Sequence, residues 1–255
     1  MTVPSLDGTT FPRLLDAALR SDPARPLVTF YDDATGERIE LSVTTYANWV
    51  AKTASLLQDE LDVERGATVL LALPTHWLGA VWLGAAWSLG ACVTDDPTRA
   101  GDADVLVCGP DEVDGFAGHA GRAAVLAMSL RPLGGRFTEA LPAGVTDYGA
   151  VVLGQPDSFL PYDPPEPSDA AWSDAAGALT QAEVSALALD DLADGGRLLT
   201  DVAPTSRAGL AVLPATLRGG GGAVWVRRPD PDGWAHRAEV ERTSAVRRAA
   251  QPPRS

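Results

Sequence analysis

Lysine is almost missing from this chain: Lys52 is the only one among 255 residues. Lys and Arg together number 20 against 34 acidic residues, a formal net charge of -14. That balance argues against a nucleic-acid or anionic-membrane surface, because binding phosphates needs clustered basic side chains. Cysteine is nearly as scarce. Cys92 and Cys108 each fall in or at the end of an apolar run, the setting of small buried hydrophobes in a reducing compartment and not of a disulfide framework. The first twenty residues carry Asp7, Arg13, Asp16 and Arg20 and contain no apolar leader segment. The longest apolar helical stretch, near Trp77–Leu89, is too short to span a bilayer. A soluble, cytoplasmic protein is expected.

What is present is apolar patterning. Hydrophobic residues make up 45% of the chain, enough for the core of one large α/β domain or two smaller ones. Residues 66–97, GATVLLALPTHWLGAVWLGAAWSLGACVTDDP, organise the rest. They read as a buried strand (67–73), a turn at Pro74-Thr75-His76, an apolar helix, Gly90 at its end, and a second strand. An unbroken apolar run of strand length is expected of a parallel strand covered on both faces. Strand, helix, strand is the βαβ unit. The fold class is therefore α/β, a mainly parallel sheet with helices on both faces.

Around this unit the spacing predicts an N-terminal helix with Phe11, Leu14, Leu15, Ala18 and Leu19 on one stripe, capped by Thr10. A hairpin through residues 27–41 follows, then a helix over about 45–61. Further strands are expected at 104–108 and 123–128, with 150–153 a return to the sheet. Residues 155–168, QPDSFLPYDPPEPS, hold five prolines and read as a linker or surface excursion. A capping box at Thr180-Gln-Ala-Glu183 opens a helix expected to run to about 193. Strands at 197–202 and 223–227 flank a short helix containing Pro214. One domain is expected over 1–246, with a disordered tail at 247–255.

The order of these pieces resembles the opening of the adenylate-forming acyl-CoA synthetase superfamily, which includes adenylation domains and luciferases. That family carries a T-Y-x-E-L helix start, a G-V-x-x-G-D-x-V strand entry, a strand ending L-P-N, and a helix running into A-G-A-x-x-x-P. The counterparts here are Thr45-Tyr46-Ala47-Asn48-Trp49, Val63-Glu64-Arg65-Gly66-Ala67-Thr68-Val69, Leu73-Pro74-Thr75, and Leu89-Gly90-Ala91 through Pro97. Residues 197–226, RLLTDVAPTSRAGLAVLPATLRGGGGAVWV, look like the family's later strand–loop–helix and its G-G-x-V-V strand.

The departures bear on function. The resemblance implies a phosphate loop of the type T-S-G-T-T-G-x-P-K-G just before the helix at Thr180. In its place stands Ala171-Trp172-Ser173-Asp174-Ala175-Ala176-Gly177-Ala178-Leu179-Thr180. Glycines let backbone N–H groups approach phosphate oxygens, and a Lys adds a point charge. Here Trp172 and Asp174 are expected to put bulk and negative charge where a polyanion would sit. The family's proline followed by His or an aromatic becomes Pro204-Thr205-Ser206-Arg207. The sequence stops before the family's adenine, Mg²⁺ and ribose motifs and before its C-terminal lid.

Other candidates have plainer readings. His76, His119 and His236 are far apart and lack metal-ligand spacing; only His76, at a strand's C-terminal end, stands where ligands bind in open α/β sheets. Ser173 beside Asp174 lacks a nucleophile elbow. Residues 218–222, RGGGG, precede a strand and not a helix, so no helix dipole backs a phosphate there. Asp95-Asp96 reads as a strand exit before it reads as a Mg²⁺ site. No catalytic, cofactor-binding or metal residue is therefore assigned, and the cofactor is left open. The expected function is a non-catalytic paralogue of the acyl-CoA synthetases, retaining at most part of an acyl, CoA or nucleotide pocket. The alternative is an interaction or regulatory module, its exposed apolar surface covered by a second copy or a protein partner.

Overall fold

The computed structural model describes residues 8–249. In chain order the elements are α1 (Phe11–Ser21), β1 (Pro26–Asp32), β2 (Glu37–Ser42), α2 (Val43–Ser55), β3 (Thr68–Ala72), α3 (Trp77–Leu89), β4 (Cys92–Thr94), β5 (Val105–Cys108) and α4 (Val113–Ala117). These are followed by β6 (Ala124–Ala127), β7 (Val145–Asp147), α5 (Tyr148–Val151), β8 (Ala170–Asp174), β9 (Gly177–Thr180) and α6 (Gln181–Ala186). The last are β10 (Arg197–Thr200), α7 (Val212–Arg218), β11 (Gly222–Arg227), α8 (Trp234–Val240) and β12 (Ala245–Arg247).

The α/β class with mostly parallel strands holds, but the strands divide between two sheets. One has the order β12-β10-β11-β1-β2 and the other β7-β6-β5-β3-β4-β8-β9. Each is parallel except for one antiparallel edge strand, β2 in the first and β9 in the second. Period-two alternation sorts the side chains between layers. Val69, Leu71, Val105, Val107 and Leu126 of the seven-stranded sheet join Ala223 and Trp225 of the five-stranded sheet in one central cluster with α1, α2 and α3. Leu70, Leu106 and Val125 face the opposite way, onto Val113 and Phe116 of α4. Val224 and Val226 pack likewise on Trp234 of α8. The strands are apolar on both faces because both faces are covered.

Helix α3 lies in the middle layer, and all thirteen of its residues are buried. Trp77, Trp82 and Trp87, spaced in fives, point in different directions and each finds a packed environment. Such a helix needs glycine where neighbours come close. At Gly84 a Cβ would overlap the Tyr46 hydroxyl and lie 2.7 Å from a Val50 methyl. The same Tyr46 hydroxyl donates to the Ala80 carbonyl at 2.9 Å. Gly90 ends α3 in the left-handed region, φ +86°.

Several expectations are corrected. Thr10 precedes α1, but its side chain makes no capping bond; Ser42 caps α2 instead, accepting from Thr45 N–H. Residues 150–153 are helical, and the strand is Val145–Asp147 just before them. The capping box at Thr180 and Glu183 is present, but α6 ends at Ala186 because Leu187 adopts an extended ψ of 133°. Elements α8 and β12 lie where no element is expected from sequence. Arg247, placed in a disordered tail, closes β12, and Arg248 stacks over Trp234 at 3.9 Å; residues 250–255 lie outside the described residues. Among the described residues, no helix is long and apolar enough to cross a membrane.

The tightness of the α2–α3 contact is open to measurement. Gly84→Ala should lower unfolding free energy by about 1–3 kcal/mol through overpacking. Gly79→Ala, whose Cβ would meet the more yielding Thr205 methyl at 3.0 Å, should cost less. Urea unfolding of both variants compares the two positions directly.

Candidate functional site

In open α/β sheets ligands bind beyond the carboxyl ends of the strands, and here those ends meet. The loop after β3 and the loop after β10 come from different sheets, yet Thr75 Oγ1 donates to the Asp201 carbonyl at 2.9 Å and Thr205 Oγ1 to the Leu73 carbonyl at 3.4 Å. Pro204 and Thr205 lie directly over Gly79 in the first turn of α3. The crevice floor is thus filled by the chain's own side chains.

Residues 171–180, expected at the position of a phosphate loop, border this junction and form a strand hairpin. Strands β8 and β9 form an antiparallel hairpin joined by two residues, Ala175 and Ala176, with Asp174 opposite Gly177. Gly177, at φ +124°, supplies a conformation that side-chain-bearing residues rarely adopt. Asp174 Oδ1 accepts the Ala176 N–H at 2.8 Å, and Oδ2 accepts the Trp172 indole N–H at 2.7 Å. The guanidinium of Arg207 pairs with the same carboxylate at 3.4 Å and donates to the Gly177 carbonyl at 3.3 Å. The indole bond first, then the backbone N–H and the Arg207 charge, holds the Asp174 carboxyl below the usual carboxylate range.

The bulk expected at this point is absent from it. Trp172 is fully buried, paired with Val93 of β4 and Leu179 of β9, so its ring fills core. Only the negative charge of Asp174 remains at the turn. Nearby, Arg99 donates to the Ser173 hydroxyl at 2.8 Å, so this serine faces an arginine and no histidine. Asp96 caps the turn Pro97–Gly101 by accepting from Thr98 N–H at 2.9 Å. Burial and the neighbouring carboxylates of Asp174 and Asp96 raise the Asp95 carboxyl. Among the described residues, no group of three or more His, Cys, Asp or Glu side chains is arranged to hold a metal ion.

The remaining candidates disperse. In the glycine run, a Cβ on Gly221 would collide with the Gly196 carbonyl, so glycine there serves close backbone approach. Arg218 turns away to the Ser185 and Leu187 carbonyls at 2.9 and 2.7 Å. Cys92 and Cys108 are free and buried. His119 contacts Arg122 at 2.6 Å, and His236 is exposed on α8. His76 is fully buried as the N-cap of α3, its Nδ1 accepting from Leu78 N–H at 3.2 Å. Since Nδ1 is an acceptor, the neutral ring carries its proton on Nε2, which has no partner among the described residues. Phe30 lies 4.6 Å away, ring centre to ring centre. Burial, and secondarily the Arg227 charge, lowers the His76 pKa to about 3. What the sequence reading missed is Asp174's partner: Pro204-Thr205-Ser206-Arg207 stood out only for its missing aromatic.

No family model matches the chain. A protein of Mycobacterium tuberculosis (strain ATCC 25618 / H37Rv) described as a "TIGR03089 family protein" is 38% identical over 268 residues, covering 96% of this chain and 100% of that protein. Among solved structures, coronafacic acid ligase from Pectobacterium brasiliense superposes with a TM-score of 0.74 at 9% identity, over 94% of this chain and 50% of that one. The N-terminal domain of FACL13 from Mycobacterium tuberculosis gives 0.68 at 15%, over 92% and 61%. Acetoacetyl-CoA synthetase from Streptomyces lividans gives 0.74 at 17%, over 95% and 42%. The chain therefore has the fold of the adenylate-forming ligases over about half their length. At these identities the likeness is one of fold.

The state of His76 makes a pH prediction. Its folded pKa of about 3 lies below the ordinary 6.5, so the unfolded chain binds a proton that the native chain refuses. The stability this confers is complete above about pH 6.5 and is lost as pH falls toward about 3. His76→Asn, which keeps a capping side chain, should make the decline of stability with acid shallower by one proton across that window. Urea unfolding at a series of pH values reads the slope; an unchanged slope would mean the native ring is not held neutral.

Proposed function

The chain belongs to the TIGR03089 family, and we propose that it is a non-catalytic protein built on the adenylate-forming fold. The observation that carries this is the β8–β9 turn. A phosphate site needs backbone N–H groups free to face an anion. Here the Ala176 N–H is already taken by the Asp174 carboxylate, and Arg207, the nearest cation, is spent on the same carboxylate. A nucleotide phosphate brought to this turn would have to displace an internal anion held on three sides. The proposal rests on the turn itself and not on the length of the chain.

A second reading, an interaction or regulatory module, draws support from Leu133, Leu153, Leu160 and Tyr162, large apolar side chains each more than half exposed. It is compatible with the first, since a protein that has lost adenylation still folds and still presents a surface. A partner or a second copy would cover these side chains, and a monodisperse monomer in light scattering that captures no partner would count against it.

Calorimetric titration of Mg·ATP into the folded protein, with AMP and CoA as companion ligands, tests the leading reading. No saturable heat with ATP, and no ATP–pyrophosphate exchange with any carboxylic acid, is the expected result. Saturable binding in the micromolar range, or exchange, would overturn it.

A further inference from the structure

His76 has one nitrogen to spare. Its Nδ1 caps α3, while Nε2, fully buried, meets no acceptor among the described residues. The indole N–H of Trp77, a residue 1% exposed, is in the same state, and the two rings lie 5.7 Å apart. Buried ring N–H groups normally find a partner. An oxygen in want of a donor lies on the same side. Glu37 pairs with Asp32 as Ile39 pairs with Phe30, so its side chain emerges on the face of Phe30, the ring against which His76 packs at 4.6 Å. Glu37 Oε1 is buried and without a partner among the described residues. Burial first, then Asp32, raises this carboxyl, with the Leu133 backbone N–H and the Arg227 charge offsetting part of the rise.

Residues 129–135 cover the cluster. A Cβ on Gly134 would lie 3.5 Å from Trp49, whose ring packs on Trp77 at 5.1 Å. Leu130 and Leu133 both have left-handed backbone, φ +53° and +58°, which residues with large side chains seldom adopt. Strain of this kind gathers at ligand clamps and switch segments, and a strained loop gives way more readily than a packed helix or strand.

The unpartnered atoms specify the ligand. A hydroxyl oxygen accepts two hydrogen bonds and donates one, which matches two N–H donors and one carboxylate oxygen. The charges at this end of the sheet balance, Asp32 and Glu37 against Arg227 and Arg228, so no net charge draws an ion. We propose that the cluster between α3, β2 and the 129–135 loop binds a small neutral alcohol, its hydroxyl accepting from His76 and Trp77 and donating to Glu37, its carbon chain among the rings of Phe30, Trp49 and Trp77. None of these residues belongs to the β8–β9 turn, so the site stands or falls independently of whether the protein binds ATP.

Titration of n-butanol into the full chain, followed by the indole N–H signals in proton–nitrogen NMR, tests this, with butyrate and butylamine as charged comparisons. Trp77→Phe and Trp87→Phe identify the two signals that matter. A saturable shift of the Trp77 signal, at roughly millimolar n-butanol, is expected, with weaker binding of both ions. The Trp87 signal, whose N–H is bonded to the Ala171 carbonyl at 2.8 Å, should stay in place. Glu37→Ala, at a partly exposed edge-strand position, should weaken binding about two- to tenfold while circular dichroism shows the fold retained. No saturable shift, a shift shared equally by Trp87, equal affinity in wild type and Glu37→Ala, or tighter binding of butyrate would overturn the proposal. So would a Trp77 N–H in contact with water that n-butanol does not displace, because the donors would then serve a structural water only.

Discussion

A helix with no solvent face governs this structure. Because every residue of α3 is buried, each neighbouring element must bring a matching surface to it, and polar groups on the helix must find partners inside the protein. They largely do. The Trp82 indole meets Met128 Sδ at 3.3 Å, and the Trp87 indole donates to the Ala171 carbonyl at 2.8 Å. Buried Gln181 donates to the Trp87 carbonyl at 3.0 Å and accepts from Phe11 N–H at 3.2 Å, tying α6, α3 and α1 into one joint. Tyr46 fixes α2 to the same helix. The two sheets are held at their separation by what lies between them.

That constraint reaches the candidate site. The carboxyl ends of β3, β4 and β8 sit on one side of α3, and the loop after β10 crosses its first turn, so space for a ligand there would have to come from packed atoms. The chain closes it with internal pairs. Asp174 serves the hairpin, Trp172 and Arg207 together; Asp96 caps its own turn; His76 caps α3. These three polar side chains at the junction each have a structural duty.

Much of the fold was legible along the chain. The βαβ unit, the hairpin of β1 and β2, and the stripe of α1 rest on local periodicity and turn chemistry, which act over a few residues. The division into two sheets was not legible, because a strand buried on both faces presents the same apolar run whichever sheet it joins. Nor was the length of α6, which opens on a readable cap but stops where the backbone turns at Leu187, with no glycine or proline to mark the end. Strand β12 was hidden by its shortness and by Arg247 in it and Arg248 just after it, which pair with Asp191 and stack on Trp234 only after the chain has folded back.

At the site, composition alone settles that residues 171–180 hold one glycine and no lysine, and no folding can restore an absent side chain. Only the tertiary structure decided what replaces it. Trp172 and Asp174 are two residues apart on one strand, and pleating alone would place them on the same face. Which of them filled the core and which held the turn depended on Val93, Leu179 and Arg207, brought there from elsewhere in the chain. Partners distant in sequence are chosen by packing and charge in three dimensions, and a linear pattern carries no record of them.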